Sequence, residues 1–190
     1  IPYLTFSADA EQTLTMVLED WNNVGIQFNF EYSVNGAEWS QLTLDKAIAF
    51  GGTAGDLRLR AVSQFGTAYK DDYHGIECFH QIIFGNATPV ECTGDIRTLV
   101  DWENYENANT SSARFCGLFN GCSALTTAPA LPATSLAEDC YTGMFRGCTS
   151  LTAAPALPAT TLADYCYQSM FFGCTSLATA PDLPATTLAE

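Results

Sequence analysis

The first 100 residues carry short apolar runs separated by turn-forming residues, a pattern typical of β structure. The runs rich in strand-forming residues lie at 3–8, 13–19, 56–62, 76–84 and 89–93. Together with the hairpin described next, they amount to six or seven short strands. Strands of this number and spacing predict a β-sandwich of immunoglobulin-like size in this part of the chain.

The segment 28–42 is expected to form a β-hairpin around Asn35-Gly36. Both central residues of a type I′ turn need a positive φ, which asparagine and glycine tolerate best. The register of such a two-residue turn places Tyr32 opposite Trp39. The sequence therefore predicts an aromatic cross-strand pair on one face of the sheet.

From about residue 113 the sequence repeats with a period of 26 residues. The phrases "GCSAL", "GCTSL" and "GCTSL" begin at 121, 147 and 173. Each opens a longer shared phrase that ends in "LPAT", one serine or threonine, and "LA". A fixed period of this length predicts a solenoid, in which each unit buries its apolar face against its neighbours.

Local signals within the units predict one short strand followed by one helix. Pro155 and Pro158 have no N–H to give to a neighbouring strand, so any strand must be brief. Ser135-Leu-Ala-Glu138 has the form of a capping box at a helix start, and residues 187–190 have the same form.

An apolar stripe supports the predicted helix. Leu162, Cys166 and Met170 follow at i, i+4 and i+8, and Gly147 and Gly173 stand where a helix would end. The expected fold class is multidomain α+β. It combines an N-terminal β-sandwich with a short leucine-rich-repeat solenoid that has one short strand and one helix per 26-residue unit.

The repeated phrase C-T-S-L-T-x-A-P-x-L-P-A-T-T-L-A-x-x-C-Y-x-x-M-F-x-G resembles the BspA-like leucine-rich repeats of surface proteins from gut and oral Bacteroidetes. The resemblance covers roughly residues 113–190 and implies an exported protein, surface-attached or secreted, in a family that includes adhesins. β-Sandwich regions upstream of the repeats are common in that family. The first unit departs from the phrase, because Arg114 stands where later units have Cys140 and Cys166, and its cysteine is displaced to Cys116. A terminal repeat is expected to be irregular in this way.

The change of pattern predicts three regions along the chain. They are a β-sandwich domain at 1–100, a polar linker or cap at 101–112, and about three repeat units at 113–190. The last phrase stops at Glu190, where earlier copies continue, which suggests a C-terminal truncation or an end that a partner covers. An open coil end is expected to allow self-association through the last repeat. No secretion signal precedes Ile1, so an exported protein would carry that signal outside this sequence.

Charge restricts the classes of partner. Acidic residues outnumber basic ones 21 to 7, for a formal net charge of −14. This balance argues against nucleic acid and against anionic lipid, since both attract clustered lysine and arginine. No apolar run reaches the roughly 18 residues that a transmembrane helix needs.

Catalytic motifs are missing from the sequence. It contains no G-x-S-x-G elbow, no phosphate-binding glycine loop and no H-E-x-x-H. His74, Cys78 and His80 are expected on one face of a strand, but no acid is placed to orient a Cys–His nucleophile. The chain is therefore expected to be non-catalytic and to bind no cofactor.

The cysteines are better explained by packing than by chemistry. Six of the eight lie in the repeats, with C-x5-C and C-x7-C as the closest spacings, whereas zinc sites favour C-x2-C. A disulfide ladder along Cys122, Cys148 and Cys174 would leave one thiol unpaired. Cysteine as a small buried filler is the favoured interpretation. A bridge between Cys78 and Cys92 would need a geometry other than a simple hairpin.

Acidic side chains in loops raise the question of a calcium site, because Ca²⁺ prefers oxygen ligands. Solvated loop charge is the favoured interpretation, and no metal site is assigned. The two clusters concerned are Asp71-Asp72 with Glu77, and Asp101 with Glu103 and Glu106.

Positions at which the units differ are expected to mark the outer surface, because buried columns must match for units to stack. Solenoids bind partners through extended surfaces of this kind. Members of three variable columns are therefore the candidate binding residues. They are Asn120, Arg146 and Phe172; Thr142 and Gln168; and Asp182.

The favoured function is a non-catalytic adhesion or binding module, secreted or on a bacterial cell surface. It would recognise a host or microbial protein or a glycan through the solenoid surface. One alternative is a structural stalk, which the near-identity of the "LPATTLA" copies favours. Another is an accessory part of a larger glycan-active enzyme.

Overall fold

A computed structural model describes residues 1–21, 23–26, 28–71, 75–187 and residue 189. In this part of the chain there are ten strands and three 3-10 helices, and there is no α-helix. The strands are β1 (Leu4–Ser7), β2 (Gln12–Asp20), β3 (Phe30–Val34), β4 (Ser40–Gln41), β5 (Ile48–Phe50), β6 (Leu57–Ala61), β7 (Ala68–Asp71), β8 (Gly75–Phe84), β9 (Val90–Thr93) and β10 (Leu125–Thr127). The 3-10 helices are Gly52–Ala54, Ile96–Leu99 and Tyr105–Asn107.

The strands form two sheets. One has six strands in the order β10-β9-β1-β6-β3-β4, and the other has four in the order β5-β2-β8-β7. All neighbours are antiparallel except β10 and β9. The two sheets share one hydrophobic core, in which the ring of Phe6 lies 6.5 Å from that of Phe50 and 6.1 Å from that of Phe84. Alternation of buried and half-buried residues along β1, β2 and β6 aims every second side chain into this core.

The predicted turn at Asn35-Gly36 is confirmed, but the predicted register is wrong by one residue. Asn35 and Gly36 have φ of 52° and 69°, and the Ala37 N–H donates to the Val34 carbonyl at 3.0 Å. Tyr32 then pairs with Ser40 rather than with Trp39. The Ser33 hydroxyl donates to the carbonyl of Ala37 at 2.6 Å. Position 39 is therefore left out of the strand pairing, and its side chain packs elsewhere.

Trp39 instead joins a cluster on the six-stranded sheet. The guanidinium of Arg60 lies between two indoles, 4.1 Å from the ring of Trp39 and 3.9 Å from that of Trp102. Tyr3 packs edge-on against Trp39 at 4.8 Å, and Arg60 also pairs with Glu31 at 2.7 Å. Cation–π contacts of this kind stabilise a half-buried arginine. They attach residue 102, from the segment predicted to be a linker, to the sheet.

The predicted leucine-rich-repeat solenoid, with a strand and a helix in each unit, is wrong. In the second unit, where a helix was expected, Asp139, Gly143 and Gly147 have φ of 59°, 59° and 74°. The equivalent residues of the third unit also have positive φ, namely Tyr165 (56°), Ser169 (53°) and Gly173 (79°). A right-handed helix needs negative φ at every position, so a left-handed residue at every fourth position excludes it. Among the described residues of the repeats, the first unit alone has a strand, β10, and that strand belongs to the six-stranded sheet.

The capping-box prediction fails for the same reason. No helix follows Ser135, whose segment continues directly into consecutive turns. The second copy of the capping box, at 187–190, includes residues outside the described part of the chain. The sequence therefore carries local helix signals, but the backbone N–H groups do not form the hydrogen bonds of a helix.

Backbone hydrogen bonds instead run between three turn-rich segments, which we call layer 1 (115–121), layer 2 (139–147) and layer 3 (164–173). Alternate N–H groups of each layer donate to carbonyls of the next layer at 2.7–3.0 Å. From layer 1 to layer 2 the pairs are Phe115–Cys140, Gly117–Thr142, Phe119–Met144 and Gly121–Arg146. From layer 2 to layer 3 they are Asp139–Asp164, Tyr141–Cys166, Gly143–Gln168, Phe145–Met170 and Gly147–Phe172.

Side chains 26 residues apart stack between these layers. The rings of Phe119, Phe145 and Phe171 form one column, with centroids 5.4 and 5.8 Å apart and planes within 5° of parallel. Phe115, Tyr141 and Tyr167 form a second column, with centroids 6.0 Å apart at both steps. One hydrophobic core runs without a break from the sheets into the layers.

Layer 1 rests on the four-stranded sheet. The Ile82 N–H of β8 donates to the Leu118 carbonyl at 2.8 Å, and the Thr67 N–H donates to the Arg114 carbonyl at 2.8 Å. Lys70 of β7 forms ion pairs with Glu138 and with Asp139 of layer 2, the latter at 2.9 Å. These contacts join residues before position 100 to residues after position 113. The division of the chain at those two positions stays a prediction.

Candidate functional site

The clearest candidate site is an exposed pair on the side of the layers, formed by Arg146 and Phe172. The guanidinium of Arg146 lies 5.2 Å from the centroid of the Phe172 ring. The Phe172 side chain is 65% exposed, an unusual state for a large apolar residue. The backbone beneath the pair is held between layers, because Gly121 and Gly147 donate to the carbonyls of Arg146 and Phe172 at 2.7 and 2.8 Å. An arginine and an aromatic ring are thus presented together on an ordered backbone.

Asn120 occupies the equivalent position in layer 1, beside a cavity of about 250 Å³ between β8 and that layer. The Gln81 side-chain amide donates to the Asn120 carbonyl at 2.6 Å and links the two walls. Gln81, Ile83, Asn86 and Ser123 also line this cavity. Asn120, Arg146 and Phe172 therefore form a column that begins at a mixed polar and apolar cavity.

Thr142 and Gln168 belong to a neighbouring column. The carbonyls of both accept hydrogen bonds from glycines of the preceding layer, from Gly117 at 3.0 Å and from Gly143 at 2.8 Å. The Thr142 hydroxyl is already used, since it donates to the Tyr165 carbonyl at 2.6 Å. Gln168 is exposed on the last layer. The structure thus stacks these two positions. Of the two side chains, that of Gln168 is the one exposed to solvent and available for a ligand.

Asp182 lies apart from the Arg146–Phe172 pair. It lines a groove of about 380 Å³ between two proline-bearing loops, with Ala156, Pro155 and Pro181 among the other lining residues. A similar groove of about 370 Å³ lies between the first and second proline-bearing loops, where Ala130 and Ala156 face each other. Asp182 therefore marks a different surface from the one that carries Arg146.

The cysteine columns have a defined structural role. All eight cysteines are buried free thiols. The thiol sulfurs of Cys122, Cys148 and Cys174 donate to the carbonyls of Ile82, Phe119 and Phe145 at 3.1, 3.1 and 3.0 Å. Each of these thiols therefore ties its own unit to the element before it, and replacing cysteine by an apolar filler would lose that bond.

We predict that the native thiols react very slowly with a thiol reagent such as DTNB. Burial raises the pKa of Cys148 to about 12, and it likewise raises the pKa of Cys116 and Cys140 to about 12. The reactive species is the thiolate, so labelling at pH 8 is expected to be about a thousandfold slower than in the unfolded chain. In 6 M guanidinium, as the control, all eight thiols should react. Fast labelling of Cys148 in the native protein would contradict the buried columns.

Cys78 and Cys92 do not come together. Cys78 lies on β8 of the four-stranded sheet, and Cys92 lies on β9 of the six-stranded sheet. Burial raises the pKa of both thiols. A bridge between them is not part of this fold.

His80 has the surroundings of a core residue. It is 1% exposed, its Nδ1 lies 2.9 Å from the Thr67 carbonyl, and the rings of Phe28 and Phe30 pack against it at 4.5 and 4.9 Å. Burial lowers the pKa of its imidazole to about 4. His80 is thus a neutral, buried side chain held by one carbonyl, while His74 lies outside the described residues.

The acidic loops are organised by their own backbone. The carboxylate of Asp101 accepts hydrogen bonds from the N–H groups of Glu103 and Asn104, both at 3.1 Å. Asp72 lies outside the described residues. Within the described ranges, no group of three or more His, Cys, Asp or Glu side chains is arranged to hold a metal ion.

Sequence reasoning selected Arg146 and Phe172 but missed Gln81, Ile83 and Ser123, which border the cavity beside Asn120. Ile83 is 45% exposed, and it sits on a strand of the other region of the chain. The alternation along β8 indicates which residues face outward, but it does not say what lies next to them. Only the docking of layer 1 on β8 brings these side chains to Asn120.

No helix in the described part of the chain has the length and apolar character needed to cross a bilayer. Comparison of the chain with protein-family models, with curated proteins and with solved structures found no match.

Proposed function

We propose that this chain is a non-catalytic binding module that works at the exterior of a bacterial cell, on the surface or secreted. Its ligand would be a host or microbial protein or a glycan, bound by the side of the layers along Asn120, Arg146 and Phe172. The likeness of the repeat phrase to BspA-like repeats supports the location. The observation that carries the binding role is the exposed Arg146–Phe172 pair.

Physical chemistry favours such a pair as a contact site. Arginine and aromatic residues are enriched among the residues that dominate binding energy. No carboxylate among the described residues forms an ion pair with Arg146, although the chain has 21 acidic residues. Its guanidinium keeps donors available for a ligand carboxylate or hydroxyl, and the ring of Phe172 offers an apolar surface beside it. Because the backbone below is hydrogen-bonded on the layer side, little ordering would be needed on binding.

The test is a glycan and protein array probed with the wild-type chain and with Arg146→Ala and Phe172→Ala. Each substitution is expected to weaken binding of a genuine ligand by at least about tenfold. Arg58→Ala serves as the control, because Arg58 is a half-buried cation on β6 with no ion pair to a described carboxylate. Uniformly flat binding, or a ligand that both site variants retain, would refute the proposal.

A structural spacer is the second candidate function, and the regular layer spacing favours it. Ring centroids in the two aromatic columns are 5.4–6.0 Å apart, and each interface has four or five hydrogen bonds of the same pattern. A stack of this kind would hold its two ends at a fixed distance without needing a ligand. A flat array result together with an unchanged fold in both site variants would favour the spacer over the binding module.

A further inference from the structure

The cavity beside Asn120 lies between two parts of the chain that are distant in sequence. One wall is the end of β8 with the loop after it, at 81–86, and the other is the end of layer 1 with the residues after it, at 120–124. The Cys122 thiol joins the walls, since it donates to the Ile82 carbonyl at 3.1 Å. The side-chain hydrogen bond from β8 to the Asn120 carbonyl is a second link. The cavity is therefore fixed by the docking of layer 1 on β8.

A buried glutamine holds the loop in the first wall. Gln12 of β2 is 0% exposed, and its side-chain amide donates to the carbonyls of Asn86 and Thr88 at 3.1 and 3.0 Å. Its amide oxygen accepts from the Asn86 N–H at 3.1 Å. The amide of Asn86 itself is engaged by the Glu11 carbonyl and the Thr88 N–H, so Asn86 shapes the wall. Because a satisfied buried polar network is rigid, little ordering would accompany binding.

The lining of the cavity is uncharged. No residue that lines it is an aspartate, glutamate, lysine, arginine or histidine. The chain carries 21 acidic and 7 basic residues, so a neutral lining is a property of this site rather than of the whole surface. A charged ligand would lose water here without gaining an ion pair. The ligand that fits is therefore neutral.

The lining offers amide and hydroxyl groups that the protein does not use. No hydrogen bond to another described residue involves the side-chain amide of Asn120 or the hydroxyl of Ser123. Gln81 uses its amide nitrogen for the Asn120 carbonyl, and its amide oxygen accepts no hydrogen bond from a described residue. Side-chain amides and hydroxyls can both donate and accept. They suit a ligand whose own groups donate and accept, as sugar hydroxyls do.

An exposed aliphatic side chain, that of Ile83, lies beside these polar groups. A pyranose has C–H groups on the faces of its ring and hydroxyls around its edge, so it needs one apolar contact and several polar ones. The volume of about 250 Å³ lies below the roughly 300 Å³ at which pockets for drug-sized ligands begin. The cavity therefore accommodates one ring-sized unit.

The recurring modes of peptide recognition do not fit this cavity. A strand added to β8 needs a free edge, but the Ile82 N–H on that edge is already bonded to layer 1. A phosphorylated or acidic motif needs arginines, and a proline-rich peptide needs an aromatic-lined groove. The one aromatic residue in the lining, Phe84, has its ring in the hydrophobic core, 6.1 Å from that of Phe6. A sugar is thus favoured over a peptide.

We propose that this cavity, which we call the sugar pocket (81–86 and 120–124), binds one uncharged pyranose residue of a glycan. The ring packs on Ile83, and its hydroxyls exchange hydrogen bonds with the side chains of Gln81, Asn120 and Ser123. The inference rests on the proposed function, because it assigns the class of ligand at the Asn120 end of that surface.

The experiment titrates the isotope-labelled full chain with glucose, galactose, mannose and N-acetylglucosamine in turn, followed by NMR. At least one of these sugars is expected to bind with a Kd of about 1–10 mM. The largest shifts should fall on the backbone amides of Ile83 and Ser123 and on the side-chain amides of Gln81 and Asn120. Glucuronic acid, a charged pyranose, should bind at least about tenfold more weakly.

Two variants and a matched control test the assigned contacts. Asn120→Ala and Ile83→Ala are each expected to weaken sugar binding by at least about threefold. Val62→Ala is the control, because Val62 is also an exposed β-branched residue but does not line the pocket. It should leave the affinity for the sugar unchanged. Should a pocket variant fold poorly, the shifts in the wild-type chain still decide.

Three results would overturn the sugar pocket. None of the four sugars shifts the pocket signals, or both pocket variants bind as the wild type does, or glucuronic acid binds more tightly than every neutral sugar.

The array described above separates this inference from the proposed function. An array ligand that is lost in Arg146→Ala and Phe172→Ala, with no sugar shifting the pocket signals, refutes the sugar pocket alone. Sugar binding in the pocket together with an array ligand that both of those variants retain refutes binding along Arg146 and Phe172 alone.

Discussion

Replacing Phe145 by alanine is expected to lower the free energy of unfolding by about 3–5 kcal/mol. Phe145 is 0% exposed, and its ring is stacked between Phe119 at 5.4 Å and Phe171 at 5.8 Å. Removing the ring opens a cavity between the layers. Because the backbone hydrogen bonds between layers fix their spacing, the layers cannot move together to fill it. Urea unfolding followed by circular dichroism measures the change.

Phe172→Ala is the matched control for this measurement. Phe172 is a neighbouring residue of the same type, but it is 65% exposed and contacts Arg146 on the outside. Its loss is expected to change the free energy of unfolding by no more than about 0.5 kcal/mol. Equal effects of the alanine substitutions at 145 and 172 would mean that the rings do not stack as described.

Stability is also expected to fall as the pH is lowered from 8 to 5, by about 2 kcal/mol through His80 alone. Burial lowers the pKa of His80 from 6.5 to about 4 in the folded chain. The unfolded chain therefore binds a proton in this pH range while the folded chain does not, and protonation favours unfolding. The loss begins near pH 6.5 and levels off below the folded pKa of about 4. Urea unfolding at a series of pH values gives the curve.

His80→Gln removes the titrating group and retains a donor for the Thr67 carbonyl. The residues packed against the imidazole are Phe28, Phe30 and Thr67, none of which carries a charge. The variant is therefore expected to be less stable than the wild type at pH 8 but to lose the pH dependence between 8 and 6. An unchanged pH dependence in the variant would show that His80 does not carry it.

The predictions that succeeded depend on residues close together in sequence. The turn at Asn35-Gly36 follows from the backbone freedom of those two residues, whatever surrounds them. The register beyond the turn failed, because the hydroxyl of Ser33 bonds the Ala37 carbonyl and Arg60 engages the Trp39 ring. The partner in the second contact comes from another strand, so no local signal reveals it.

The helix prediction failed because its periodic signal has two explanations. An apolar stripe at every fourth residue suits one face of a helix. It also suits a chain of turns in which every fourth residue has a positive φ, as at Asp139, Gly143 and Gly147. The second explanation costs little at glycine but more at Tyr165 and Ser169. The nine hydrogen bonds between layers offset that cost.

The candidate site shows the same division. Differences between the units were enough to select positions 120, 146 and 172 as surface. Contact between Arg146 and Phe172, 26 residues apart, follows from the stacking of layers 2 and 3. The cavity beside Asn120 depends on β8, which lies about 40 residues earlier in the chain. Neither the contact of Arg146 with Phe172 nor that of Asn120 with β8 can be inferred from the repeat alone.

Composition and local pattern were sufficient to indicate a mostly β first region, a 26-residue period and equivalent positions within each unit. They did not decide where each backbone N–H of the repeats finds its acceptor. A helix would supply that acceptor four residues earlier, whereas the layers supply it about 25 residues later. The choice depends on whether a neighbouring layer is present to offer carbonyls and rings. That neighbour is β8 for layer 1 and the adjoining layer for layers 1 and 2.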